Sequence, residues 1–209
     1  MTQQKNIHLP FSAACERNAA AILSVLENYI PKDQKGSLLE IGSGTGQHAF
    51  YLAPSFPKLH WWTSDRQENH NHIQAWKSQY EKEYCHQNFK GPLFYEVGIN
   101  QPPKQDMDYC FSANTLHIMS WSLVKNLIHD LGKTLKPHSL VFFYGPFRDG
   151  KAYSSESNHQ FDLSLQSRDP LSGIRDKNQI FNLMNEVQFE LLENLYLPAN
   201  NEILVFKKK

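Results

Sequence analysis

The apolar positions of this chain fall into two kinds of stretch that alternate along its length. Short, nearly continuous runs, SLLEI (37–41), LHWWTSD (59–65), PLFYEV (92–97), MDYCFSAN (107–114) and SLVFFYG (139–145), have the length and the branched or aromatic content of buried strands. Between them lie longer stretches with helical spacing. SAACERNAAAILSVLENYI (12–30) puts Ala19, Ile22, Leu23, Leu26 and Ile30 on one face, with Ser12 as N-cap and Pro31 as stop. GQHAFYLAPSF (46–56) reads as a helix ending near Pro54, and NHIQAWKSQYEKEY (71–84) and SLVKNLIHDLGKTL (122–135) read as two more. Strands alternating with helices predict a parallel sheet covered on both faces. The last stretches change habit: QFELLENLYL and NEILVFKKK, joined at PANN (198–201), predict an antiparallel hairpin.

One segment fits neither pattern. Residues 145–176 are polar and rich in Gly, Ser, Asn and Asp, and a connection this long reads as a lid, a binding loop or disorder, with HQFDLSLQ as its one helical stretch. A length of 209 residues fits one domain, 1–209, with 1–36 as an N-terminal helical cap and 145–176 as a loop region on the substrate side. Lys+Arg and Asp+Glu balance at 21 each, so no overall field draws in a polyanion, which counts against nucleic-acid partners. Cys15, Cys85 and Cys110 form no CxxC pair and suggest neither a disulfide framework nor a structural zinc. MTQQKNIHLPF lacks the regions of a signal peptide and no apolar run reaches membrane length, so the expectation is a cytoplasmic protein without a membrane partner.

The candidate chemistry starts at LLEIGSGTGQHAF (38–50). Gly42, Gly44 and Gly46 lie between a strand and a helix, where bare backbone lets a ligand approach to van der Waals distance. Packing alone also produces such turns. Asp65 closes the second strand about twenty residues later, where an acid can accept both ribose hydroxyls, or else cap a helix. A dinucleotide fingerprint would place its third glycine one residue further on and hold a pyrophosphate. Here a carboxylate, Glu40, precedes the turn inside an apolar strand, and a buried carboxylate needs a cationic or hydrogen-bonding partner.

LLEIGSGTGQHA resembles the first motif of the seven-stranded S-adenosylmethionine methyltransferases, and ACERN (14–18), YGPF (144–147), FDLSLQSRDP (161–170), GIRD (173–176) and PANN resemble the methyltransferase-like twenty-six family within them. The resemblance implies a doubly wound α/β fold with sheet order 3-2-1-4-5-7-6, the seventh strand antiparallel and helices on both faces, and S-adenosylmethionine as cofactor. It places Glu40, Gly42, Gly44 and Gly46 along the methionine half and Asp65 on the ribose. Glu96 and Val97, ending the third strand, fall at the adenine, and Asn114 near the transferring methyl. Arg17 and Asn18 would close over the cofactor's carboxylate.

The acceptor is less legible. Proximity and alignment account for much of a methyl transfer, so a base is required only for a hydroxyl or a protonated amine. His117 is the candidate base and Tyr144 a pocket-shaping residue; a solvent-facing histidine and a core tyrosine are the plain alternatives. Asp162, Arg168, Arg175 and Asp176 are candidates for substrate contact, against a solvated salt-bridge network. SANTLHIM after the fourth strand lacks the Pro-Pro-aromatic turn that grips a flipped base, and the histidines of NHNH (69–72) point to different helix faces, which argues against a metal. The expectation is therefore methyl transfer to a small molecule. A nucleoside-binding protein without turnover, or a nicotinamide-dependent oxidoreductase, are the rival readings.

Overall fold

The computed structural model describes residues 9–103 and 106–209, so the first eight residues of the expected cap lie outside it. In strand β1 (Gly36–Ile41) the pleat sends Leu38 and Glu40 to one face and Leu39 and Ile41 to the other, and the run from Leu38 onward is buried. A strand buried on both faces needs helices on both, which is what alternation of strands and helices supplies. On one side lie α1 (Ala13–Tyr29), α2 (Gln47–Leu52) and α3 (His70–Glu83), packed on Leu38, Trp61, Phe111, Phe142 and Tyr144. On the other lie α4 (Trp121–Thr134) and α6 (Lys177–Glu186), packed on Leu39, Cys110, Val141 and Phe143. Ser12 caps α1 as expected, its hydroxyl accepting the Cys15 N–H.

Seven strands form the central sheet. β1 pairs in parallel with β2 (Leu59–Asp65) and β4 (Tyr109–Ala113); β2 pairs with β3 (Phe89–Phe94), and β4 with β5 (Leu140–Gly145). The hairpin of β9 (Phe189–Leu197) and β10 (Asn201–Lys208) closes it, β10 lying antiparallel to both β5 and β9. The order β3-β2-β1-β4-β5-β10-β9 is the expected 3-2-1-4-5-7-6 when only the strands of this sheet are counted.

Two sequence expectations need correction. The third strand begins at Phe89, not at Pro92, and ends at Phe94, so Glu96 and Val97 follow it instead of ending it. Pro92 marks no boundary because β3 is the sheet's edge strand, where a residue lacking an N–H can leave its outer side unpaired. The segment 145–176 is ordered structure. It holds β6 (Phe147–Asp149), β7 (Ala152–Tyr153), helix α5 (Glu156–Arg168) and β8 (Arg175–Asp176), the three strands forming a small sheet β7-β6-β8. Asp162, buried to 3% exposure, organises it by accepting from Tyr153 Oη at 2.6 Å, Gln166 Nε2 at 2.8 Å and the Ile174 N–H at 2.5 Å. Arg175 ties this unit to the loop after β4, donating to the carbonyls of Leu116 at 3.0 Å and of Met119, and it also bonds the Leu171 carbonyl of its own unit at 2.9 Å.

Candidate active site

The parallel strands all end on one edge of the sheet, and the order reverses between β1 and β4, so the crevice of a doubly wound fold opens there. The turn after β1 is held by backbone: the N–H groups of Gly42 and Ser43 both donate to the Ser64 carbonyl, at 3.0 and 3.1 Å. The next N–H, that of Gly44, donates to Asp65 Oδ2 at 2.6 Å. Asp65 Oδ1 accepts from the Arg66 N–H at 2.7 Å and from Asn69 Nδ2 at 2.9 Å. The acid at the tip of β2 thus fixes the shape of the glycine turn before any ligand is considered.

All three glycines take left-handed φ values, but for different reasons. A Cβ on Gly42 would lie 2.6 Å from Thr115 Oγ1, and one on Gly46 would lie 3.0 Å from Ile73 Cα in α3, so both are bare to admit the protein's own neighbours. Gly44, at φ +57°, would carry its Cβ into space with nothing within 4 Å. That space belongs to a cavity of about 1200 Å³ across the sheet edge. Gly42, Gly44, Asp65, Glu96 and Val97 line its β1–β3 end; Asn114, His117, Tyr144, Arg17 and Asn18 line the end formed by β4, β5 and α1.

Six candidate residues do not reach this wall, among them Asp176, whose Oδ1 accepts the N–H groups of Gly150 and Asn178 at 3.2 and 3.0 Å. Gly46 sits against α3. Glu40, 1% exposed, faces the layer beneath α1 with Leu38, and its Oε2 accepts from Trp61 Nε1 at 2.5 Å. Burial pushes its pKa up to about 8, against the Trp61 and Ser43 hydrogen bonds that lower it and with Asp65 nearby raising it further. The partner that a buried carboxylate requires is therefore an indole. Asp162 and Arg175 have their side chains engaged inside the 145–176 unit and its anchor, and Arg168 donates Nε to the Ser164 carbonyl one turn back.

The histidine on the wall, His117, is 6% exposed, its ring edge-on to Phe161 at 5.4 Å between centroids. Burial, then the Arg175 and Arg168 cations, push its pKa down to about 4, so near neutrality it is an uncharged imidazole. Tyr144, 4% exposed, has its pKa raised by burial, against the lowering influence of Asn18, Asn201 and the Arg17 cation.

Several wall residues escape sequence reasoning. His48, at the start of α2, places Nε2 2.8 Å from Asn18 Oδ1 and Nδ1 3.7 Å from Cys15 Sγ, and burial pushes its pKa down to about 4. Asn158 and Phe161 come from α5, and Asn201 from the mouth of the final hairpin. The signal was present in the PANN turn: a hairpin pairing with β5 returns its loop to the tip where Tyr144 sits.

Among the described residues no group of three or more metal-ligating side chains gathers, and no helix is long and apolar enough to cross a membrane. The fold is that of S-adenosylmethionine-dependent methyltransferases. The mitomycin 7-O-methyltransferase MmcR superposes with a TM-score of 0.77 at 14% identity over 94% of this chain and 54% of its own. An O-methyltransferase family 2 protein from Planctomyces limnophilus, solved with apigenin, gives 0.77 at 12% over 94% and 60%. Human N-acetylserotonin methyltransferase, solved with SAM, gives 0.71 at 14% over 93% and 52%. The chain thus spans little more than half of the solved proteins it matches. Residues 9–208 match the model of a family described as a protein of unknown function, DUF938, and the chain belongs to that family.

Proposed function

We propose that this protein transfers the methyl group of S-adenosylmethionine to a small-molecule acceptor. The observation that carries the reading is Gly44: a left-handed glycine that no neighbour of its own chain explains, hydrogen-bonded to Asp65 and facing a large cavity. Gly42, Gly44 and the backbone between them would hold the amino-acid half of the cofactor. Asp65 keeps lone pairs for the ribose hydroxyls, and Glu96 and Val97 border the base. A cavity of about 1200 Å³ exceeds the roughly 300–1,000 Å³ that holds one drug-sized ligand, so cofactor and acceptor fit together. The resemblance to the methyltransferase-like twenty-six family is part of this reading and stands on the motifs that suggest it.

Bound along Gly42, Gly44 and Asp65, the cofactor would supply a sulfonium methyl to the acceptor's lone pair, the thioether leaving with the bonding pair and any acceptor proton being released to solvent outside the site. The protein's part is alignment and exclusion of water. Asn114 and His117 stand at the tip of β4, and Pro146, Phe161 and the Pro198–Asn201 turn wall off the far side. His117 acts here as a neutral hydrogen-bonding group, because an imidazole with a pKa of about 4 is a weak base.

That same weakness favours one second reading, a nucleoside-binding protein without turnover. Calorimetry with S-adenosylhomocysteine tests the site: micromolar binding is expected, and its absence in folded protein rejects both readings. Release of S-adenosylhomocysteine from S-adenosylmethionine in the presence of metabolite extracts separates the enzyme from the binder. Titration with NAD(H) in parallel is expected to show no binding.

A further inference from the structure

Three large apolar residues of the cavity wall are open to water. Ile118, Phe161 and Leu171 all line the cavity, yet they are 59%, 37% and 65% exposed. Hydrogen bonds bring them together into one ridge. The Ser172 hydroxyl donates to the Ile118 carbonyl at 2.7 Å and the Gly173 N–H to the His117 carbonyl at 2.9 Å, so the turn carrying Leu171 lies against the segment carrying Ile118. Phe161 meets the ring of His117 at 5.4 Å between centroids. A second apolar bank is the hairpin turn, with Pro198 and Ala199 on the wall, which α5 reaches through Asn158 Nδ2 on the Asn200 carbonyl at 2.8 Å.

The charged group nearest in sequence to the ridge is spent on building it. Asp169, also on the wall, accepts the Leu171 N–H on Oδ1 at 3.0 Å and has Oδ2 3.2 Å from the Ser172 hydroxyl, so its carboxylate braces the turn that displays Leu171. Arg168 Nε is held by the Ser164 carbonyl at 3.1 Å. The other charged residues of the wall belong to other elements: Arg17 to α1, Asp65 and Arg66 to the tip of β2, Glu96 to the segment after β3.

Exposed hydrocarbon that is continuous with a ligand cavity is covered when the cavity is filled, and its area then drives binding. A second copy of the chain is a poor cover, because three side chains offer far less than the roughly 800 Å² that each partner of a stable interface buries. We infer that the methyl acceptor is amphiphilic, its reacting polar group inside the cavity beside His117 and a hydrocarbon chain leading out over Phe161, Ile118 and Leu171. The inference rests on the methyl-transfer reading and adds the class of acceptor to it.

The experiment is calorimetry with 4-ethylphenol, 4-butylphenol and 4-hexylphenol, titrated into the protein alone and into the protein saturated with S-adenosylhomocysteine. A fully buried methylene strengthens binding about fourfold, and a chain at an open mouth is covered only in part. Affinity is therefore expected to rise at least tenfold from ethyl to hexyl. The double variant Ile118→Ser with Leu171→Ser changes two exposed side chains and is expected to cut that gain below threefold. It is expected to keep 4-ethylphenol and S-adenosylhomocysteine affinities within twofold of the parent, which also certifies its folding. Affinity independent of chain length, binding of none of the three phenols, or a gain that survives in the double variant overturns the inference. So does a tenfold loss of S-adenosylhomocysteine affinity in that variant, which gives the ridge to the cofactor. A chain-length gain that the double variant abolishes, in protein that binds no S-adenosylhomocysteine, removes the methyl-transfer reading and leaves the apolar channel standing.

Discussion

Trp61 and Glu40, on adjacent strands and pointing to the same face, share a hydrogen bond of 2.5 Å in a layer that solvent does not reach. The carboxyl is held near pH 8 by that burial, far above the value of about 4.3 it has in an unfolded chain. Its protonated form is the one that folding favours, so its contribution is fully present below the unfolded value and is lost as pH rises toward 8. Glu40→Gln keeps the acceptor for Trp61 and removes the titration. The variant is expected to match the parent near pH 4.5 and to outlast it increasingly above, by about 1.4 kcal/mol per pH unit across that window. Urea unfolding at pH 5, 6.5 and 8 measures it; a constant difference at all three would reject the buried, protonated state.

Gly44→Ala tests the glycine turn. A left-handed Ala costs about 1–2 kcal/mol, and its Cβ enters the cavity without touching protein. The expected result is a modest drop in Tm together with at least a tenfold loss of S-adenosylhomocysteine affinity. Unchanged affinity would show that the open side of the turn faces no ligand.

The two buried imidazoles give the molecule an acid limit. His48 and His117 fall from about 6.5 unfolded to about 4 folded, so both favour folding in the neutral form. Their contribution is present above the unfolded value and is lost as pH falls through the window toward 4. Each steepens the loss by about 1.4 kcal/mol per pH unit. His48→Gln is expected to flatten the stability profile between pH 6 and 4.5 by one such increment, read by urea unfolding. Proton NMR of the parent is expected to show neither ring titrating near 6.5.

Asp162→Ala strands three donors, two on side chains and one on the backbone, and leaves one of them, the Ile174 N–H, buried. A loss of about 1–3 kcal/mol is expected, with cleavage by trypsin in the 145–176 unit well before the central sheet opens. Asp162→Asn keeps an acceptor oxygen and is expected to lose markedly less. If the two variants behave alike, the aspartate is not what orders this segment.

The central sheet was legible because its strands and helices announce themselves by period, and the hairpin because two apolar runs flank a turn. The site was legible only where backbone geometry dictates residue type. Gly44 belongs to that class, and Asp65 follows from its distance to the turn. Glu40 was half legible: burial of a carboxylate demands a partner, but the choice of Trp61 depends on strand register, which composition does not encode. Beyond the helix that HQFDLSLQ announced, the 145–176 unit stayed opaque because what orders it is polar and non-periodic, an aspartate joining residues 9 before and 12 after it. Helix α6 went unseen for a related reason, with Ile180 and Met184 as its only fully buried apolar residues. Asp162 and Arg175, which suggested recognition, have their side chains engaged within the 145–176 unit and its anchor, and Arg168 turns back on its own helix.

The wall of the cavity is gathered from Ser12 to Asn201, with every layer of the fold contributing. No fragment and no partly assembled intermediate can therefore present it, and occupancy reports on completed folding alone. A ligand at one hundred times its Kd should slow global opening and raise stability by about 2.7 kcal/mol, while leaving the fraying of peripheral turns untouched. Hydrogen exchange would register that as uniform protection of the slowest amides, a fingerprint by which an acceptor can be recognised before any product is seen.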